Sequence, residues 1–426
     1  MEGWLGHRFN NGQGQNVRKL NLIIRNALIP DGRVVDIGVE SGKISRINDH
    51  INSSGAKEID AQGRLTAPSF IDPHCHMDKA FLYRFAGSKS KHFSEGRQVL
   101  FEAKRQSTKE DVKKRAEEML RLDVLHGTTY IRTHVDVDTS WGLTGVEALL
   151  ELKKEYANVV DMQIVAFPQE GIFRDQGAEE LMWKAMESGV DIVGGAPSYE
   201  LTEDAIHKHI QVVFEIAKKL DKDIDMHIDT VQDPYSRTLE YYAAKAFQEH
   251  YMGRVTAGHC SALSAYAENH ARRVVNLVKQ AGLNVIVCPK EELILEDMDL
   301  PRVKMLLEAG VNVVYGHNNM NDPFNPFGNA DMLTVGMIFA HATQLKGPDE
   351  IRLLLDMPTI NSAKILRIPD YGISEGCRAD FNIIDAKNIL DAFRLQPDRL
   401  YVVKRGEVIA KTKSEIEFLG KKLSAG

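Results

Sequence analysis

Apolar positions along the chain fall into two rhythms. Between about residues 20 and 66, short apolar runs are broken by turn signals: "LNLIIRNALIP", "VVDIGVESGKISRI" and "KEIDAQGRLTA", with Asp-Gly and Ser-Gly between them. That texture predicts a small β module. It returns near the end as "ADFNIIDA" and "LYVVKRGEVIAK", strand–turn–strand with Arg-Gly at the turn. Isolated hairpins are marginal in water, so the two ends are expected to join. The expected unit is a small β-sandwich domain built from residues 18–66 plus 367–415.

The middle, residues 67–366, keeps a slower rhythm. Eight buried-looking β runs recur: "LTAPSFIDPHCHMD", "TYIRTHVDV", "VDMQIVAFPQEG", "VDIVGGAP", "DIDMHID", "RVTAGHC", "LNVIVCP" and "VNVVYGHNN". Amphipathic stretches such as "KEDVKKRAEEMLRLDVLHG" and "AIHKHIQVVFEIAKKL" lie between them. Eight strands alternating with helices over about 300 residues is the arithmetic of an α/β protein with a (β/α)8 TIM barrel. A doubly wound open sheet competes, but no glycine-rich phosphate loop follows the first run.

Polar residues sit where such a barrel does its chemistry, at the C-terminal ends of the strands. The first run ends in "HCH". Strand side chains alternate with period two, so His74 and His76 project from one side and can converge on an ion. His134 lies in the second run, Gln169 and Glu170 end the third, and His227 with Asp229 ends the fifth. His259 ends the sixth, and His317, Asn318 and Asn319 end the eighth. One strand-end histidine is more often a hydrogen-bonded structural residue than a ligand. A whole rim of them is hard to explain that way, because unpaired buried polar groups cost free energy. The rim points to a metal centre.

Composition narrows the class. A net charge of −7 argues against a nucleic-acid partner. No apolar run approaches a membrane span, and the leader "MEGWLGHRFNNGQGQNVRKL" lacks a signal-peptide core and is expected to be poorly ordered. The four cysteines have no CxxC spacing, as expected for a reducing cytoplasm without disulfides.

The segments "PHCHMDKAF", "RTHVDVD", "DMQIVAFPQEGIF", "DIDMHID", "RVTAGHC", "LLEAGVNVVYGHNNMNDPFNPFGNADM" and "ILRIPDYGISEGCRADFNIIDA" carry a resemblance that spans nearly the whole chain. It resembles the amidohydrolase superfamily, within it the cytosine deaminase and N-isopropylammelide amidohydrolase types. The resemblance implies a hydrolase acting on a C–N bond of a small nitrogen heterocycle, and a homo-oligomer. It implies one divalent metal, zinc or iron, on His74, His76 and His227, with a metal-activated water as nucleophile. His259 would face that water and the substrate, and Gln169 would bind the substrate ring. Lys79 matches the "HMDK" of the ammelide type.

Two positions depart from that pattern. Asn318 stands where the family carries an aspartate at the metal, and Thr230 stands where cytosine deaminases carry a proton-shuttling glutamate. Asparagine offers a neutral carbonyl oxygen that can ligate or hold the water, but it cannot accept a proton. Proton transfer then falls to His259, with Asp229, Asp233 and Glu170 behind it. Strand parity puts Asp229 on the face of His227, where it either moves protons or orients a ligand histidine. Thr230 and Phe167 join Gln169 as substrate contacts. Phe167, Trp141 and Phe324 either stack on a planar substrate or pack the barrel. Two alternatives stay open: a catalytically impaired homologue that binds a metal or heterocycle, and a hydrolase of cyclic amides.

Overall fold

A computed structural model describes residues 20–52, 56–87, 91–415, 417, 419 and 420, so the glycine-rich leader lies outside the described residues. In chain order the strands begin with β1 (Leu22–Leu28), β2 (Val34–Glu40), β3 (Lys43–Asn48), β4 (Lys57–Asp60) and β5 (Leu65–Pro68). Then come β6 (Phe70–Cys75), β7 (Thr128–Asp136), β8 (Asp161–Phe167), β9 (Ile192–Gly195), β10 (Asp223–Ile228), β11 (Val255–His259), β12 (Asn284–Val287) and β13 (Asn312–Tyr315). The last are β14 (Phe381–Ile384), β15 (Arg399–Lys404) and β16 (Glu407–Lys411).

The two ends of the chain do meet. Their strands form one sheet in the order β16-β15-β14-β5-β1-β2-β3, with β4 beside β1. The seam is antiparallel β5–β14, where Leu65 faces Ile384 and Pro68 faces Phe381. Ile24, Ile37, Val39, Phe381 and Val403 make up much of its apolar core.

Strands β6 to β13 are all parallel and neighbour one another in chain order. They are buried along both faces, as the near-continuous apolar runs require when helices cover a parallel sheet. The intervening helices start on side-chain caps read directly from sequence. Thr108 accepts the Asp111 amide before helix Lys109–Leu125, and Thr202 accepts the Ala205 amide before helix Glu203–Leu220. The ring closes where the Asn318 amide donates to the His74 carbonyl at 2.8 Å, pairing the end of the first barrel strand with the loop after the last. Gly316 makes this approach possible: a Cβ there would lie 2.8 Å from His74 Cβ and 2.9 Å from its carbonyl oxygen. Among the described residues, no helix is long and apolar enough to cross a membrane.

Candidate metal and substrate site

Three imidazoles converge at the C-terminal mouth of the barrel. Nε2 of His227 lies 3.2 Å from Nε2 of His74 and 3.1 Å from Nε2 of His76. His74 ends β6 with His76 just beyond it, so period-two alternation sends both rings inward to the end of β10. Burial pushes the pKa of all three well below the ordinary histidine value, and the neighbouring imidazoles push it further. They are therefore neutral, with lone pairs available, which is the state a metal requires. Two nitrogens held at about 2.0–2.1 Å from one ion sit about 3.3 Å apart at a tetrahedral angle. The two measured separations match that spacing. Asn318 Oδ1 is buried beside the cluster and, among the described residues, has no hydrogen-bond partner. The neutral imidazoles and the amide oxygen gathered here are donors of the type that suits a divalent cation.

Among the described residues, the groupings whose ligand-type atoms all lie within 4.8 Å of one another are His74, His134 and His227, and His74, His259 and Cys288; His76 joins the site through His227. Each grouping includes one weaker candidate. His134 Nε2 stands 3.4 Å from Asp225 Oδ1, and its ring packs 4.2 Å from that of His74, placing it in a supporting layer. Asp225 is itself fixed by Arg132 at 2.9 Å. Burial pushes the Cys288 thiol well above its usual pKa, which leaves it protonated and a poor ligand.

His259 adopts a left-handed backbone, φ 69°, at the end of β11. Such a conformation costs a non-glycine residue about 1–2 kcal/mol, so the surrounding packing must enforce it. Burial lowers the His259 pKa to about 4, making it a neutral imidazole. Behind it, Glu292 Oε1 lies 3.4 Å from His259 Nδ1 and accepts the Cys288 amide at 3.0 Å.

Lys79 forms the opposite wall. Its ammonium pairs with Asp136 and reaches Gln169 Oε1 at 3.3 Å. Asp136 also takes Lys104 at 2.8 Å, and Lys104 continues to Asp138. Burial would raise the Asp136 carboxyl, but the two ammoniums overturn that and hold it below the usual range. Lys79 is thus a neutralised, fixed cation inside the barrel mouth and no surface lysine.

The cavity over the histidines is lined by His76, Lys79, Gln169, His227, His259, Glu291, Asn318 and Asn319, with an apolar side of Phe93, Tyr199, Met298 and Phe324. Phe93 stacks on Tyr199 (centroids 5.6 Å apart, planes at 12°) and on Phe324 (4.9 Å, 16°), closing the top. Only about 20 Å³ remains beneath this cover.

The other sequence candidates sit elsewhere. Asp229 is not on the face of His227: β10 ends at Ile228, Asp229 turns to φ 51°, and parity fails at that turn. Its carboxylate accepts the Ser236 hydroxyl at 2.5 Å and the Leu239 amide at 3.3 Å, fixing the following loop. Phe167 lies under the cluster, its ring 4.2 Å from that of His227, and packs there without facing the cavity. Thr230 is buried against Tyr199 and does not line the cavity. Trp141 packs with Val112 and Ala148, while Phe324 does reach the cavity. Glu170 is held by Arg97 at 2.6 Å.

Sequence reasoning missed Phe93, Tyr199, Met298 and Glu291. For Glu291 a signal existed. "LNVIVCP" is followed at once by "KEE", so the strand-end rule extended two residues further finds it. Phe93 carries none, since it lies outside every strand-end loop singled out.

Residues 84–410 match the model of a family described as "Amidohydrolase family". N-isopropylammelide isopropyl amidohydrolase of Pseudomonas sp. (strain ADP) is 33% identical over 401 residues, covering 92% of this chain and 98% of that protein. The crystal structure of 5-methylcytosine deaminase from Klebsiella pneumoniae liganded with 5-fluorocytosine superposes with TM-score 0.88 at 34% identity, over 93% of this chain and 99% of that one. N-isopropylammelide isopropylaminohydrolase from Burkholderia multivorans gives TM-score 0.84 at 26% identity, over 92% and 98%.

Proposed function

The chain belongs to the amidohydrolase family, and from that premise we propose that it hydrolyses an exocyclic C–N bond of a small nitrogen heterocycle, releasing ammonia or an amine. The observation that carries this reading is that the neutral His227 imidazole nitrogen meets those of both His74 and His76 beside the unpartnered carbonyl oxygen of Asn318. These residues would hold one zinc or iron ion. A divalent cation held there would lower the pKa of a bound water to about 7, supplying a nucleophile at neutral pH.

The remaining residues bind and orient. Gln169 spends its carbonyl on Lys79, which leaves its amide N–H groups to donate to a ring oxygen or nitrogen. Neutral His259 faces the same cavity and exchanges hydrogen bonds with the attacking water or the ring. Asn318 accepts a hydrogen bond from that water without removing its proton. The names of the relatives, one acting on isopropylammelide and one on 5-methylcytosine, support a six-membered nitrogen ring as substrate. Four unpaired cysteines suit a reducing cytoplasm.

The test is ammonia or amine release from aminated pyrimidines, triazines and pterins by protein carrying one metal per chain. Turnover of at least one class is expected. Silence across the panel with metal bound refutes the reading. Turnover that appears only in Asn318→Asp assigns the natural chain to metal or heterocycle binding instead.

A further inference from the structure

We propose that Glu291, on the loop after β12, is the group that carries a proton to the departing nitrogen, taking over the work of the carboxylates missing at Asn318 and Thr230. The assignment rests on the C–N hydrolysis reading above. Glu291 lies in the first turn of the short helix Pro289–Ile294 and lines the cavity together with His227, His259, Asn318 and Asn319. It is 2% exposed. Oε1 is fixed by the Asn319 amide at 3.2 Å and the Asn325 side-chain amide at 3.1 Å. Oε2 is buried and, among the described residues, has no hydrogen-bond partner. A carboxyl in the cavity wall, held by one oxygen and unmatched at the other, suits proton transfer.

Its surroundings keep the acid form accessible. Burial raises the carboxyl to about 8, against the pull of Lys290, with Asp322 and Glu292 adding to the rise. Of the other carboxylates near the site, Asp136 is held by two lysines and Asp229 by Ser236 and Leu239, while Glu170 and Glu292 each keep one unpartnered oxygen but do not line the cavity.

The step balances as follows. The water oxygen bonds to the ring carbon, and one water proton passes to Glu291. Glu291 hands a proton to the exocyclic nitrogen, the C–N bond breaks, and its electron pair leaves on the amine. The second water proton ends on the ring nitrogen of the resulting lactam, and Glu291 returns to its starting state.

Glu291→Gln keeps the shape and the fixed oxygen but cannot carry the proton. On the best substrate of the wild type, kcat should fall about 10²–10⁴-fold, the usual contribution of a positioned acid–base group. Metal content and the affinity for the product heterocycle should stay within about threefold of wild type. Across leaving amines of falling basicity, the rate of the variant should rise steeply and that of the wild type only weakly. Glu291→Asp, should the amide variant fold poorly, should lose less and keep the weak dependence. A kcat within about tenfold of wild type, a loss matched by lost metal or product affinity, or an unchanged leaving-group dependence overturns the proposal. If the wild type itself is silent on every amine, the hydrolase reading fails and takes this assignment with it.

Discussion

Removing the Asp136 carboxylate with Asp136→Asn isolates the stability of the buried charge chain behind the cavity. Asp136 is fully buried and is shared by Lys79 and Lys104, each with a side chain 1% exposed. At an effective dielectric near 20, opposite charges about 2.8 Å apart attract by about 6 kcal/mol before desolvation is counted. Taking one partner out of a buried pair costs about 3–5 kcal/mol, because the remaining charge stays buried without compensation. Lys104 keeps Asp138, but Lys79 is left with Asp78 at 3.9 Å. The expected loss is therefore about 3–5 kcal/mol, read by urea unfolding of metal-free wild type and variant. Lys79→Met in the Asp136→Asn background should recover at least about 1 kcal/mol over additivity, since the stranded charge disappears. The folded carboxyl lies below its unfolded value near 4, so its contribution is present above that pH and vanishes as pH falls through the folded value. The two proteins should converge in acid. A loss below about 1 kcal/mol at neutral pH, the range of exposed ion pairs, would sink this account.

Three further outcomes follow from the same geometry. His227→Ala removes the nitrogen that both other imidazoles meet, so metal content should drop from one per chain to none by elemental analysis. The wild type should gain about 2.7 kcal/mol from metal at a hundredfold excess over Kd, and the variant nothing. Gly316→Ala must push the end of β6 aside, and unfolding should show a loss of about 1–3 kcal/mol with weaker metal retention; an unchanged midpoint contradicts the close approach. Phe93→Ala should speed association of a heterocycle in stopped-flow fluorescence, and an unchanged rate would show that the ring stack does not cover the cavity.

The barrel and its satellite sheet were legible because their signals are local and repeated. Period-two and period-3.6 apolar patterns set the elements, and strand ends marked where His74, His76, His227 and His259 would gather. Parity served at "HCH", where the backbone stays extended. It failed at Asp229, where a left-handed residue breaks the alternation one position after β10 ends. Phe167 was misplaced for a related reason: its position on the third run is right, but a fully buried strand leaves open whether a ring faces ligand or core. Phe93 could not be read at all, since its place depends on how helix Phe93–Lys104 folds back over the mouth, a long-range packing outcome.

The aromatic trio over the histidines has a kinetic meaning. Space of about 20 Å³ admits roughly a single water molecule, whereas sites for organic ligands run to about 300–1,000 Å³. No planar ring can bind while Phe93 stays sandwiched between Tyr199 and Phe324. A ring can then reach the histidines, or leave them, only when that stack opens. The same contacts, once re-formed, shut bulk solvent away from the reacting carbon and strengthen every charge interaction beneath them. The three rings thus stand as a door whose opening any heterocycle must wait for.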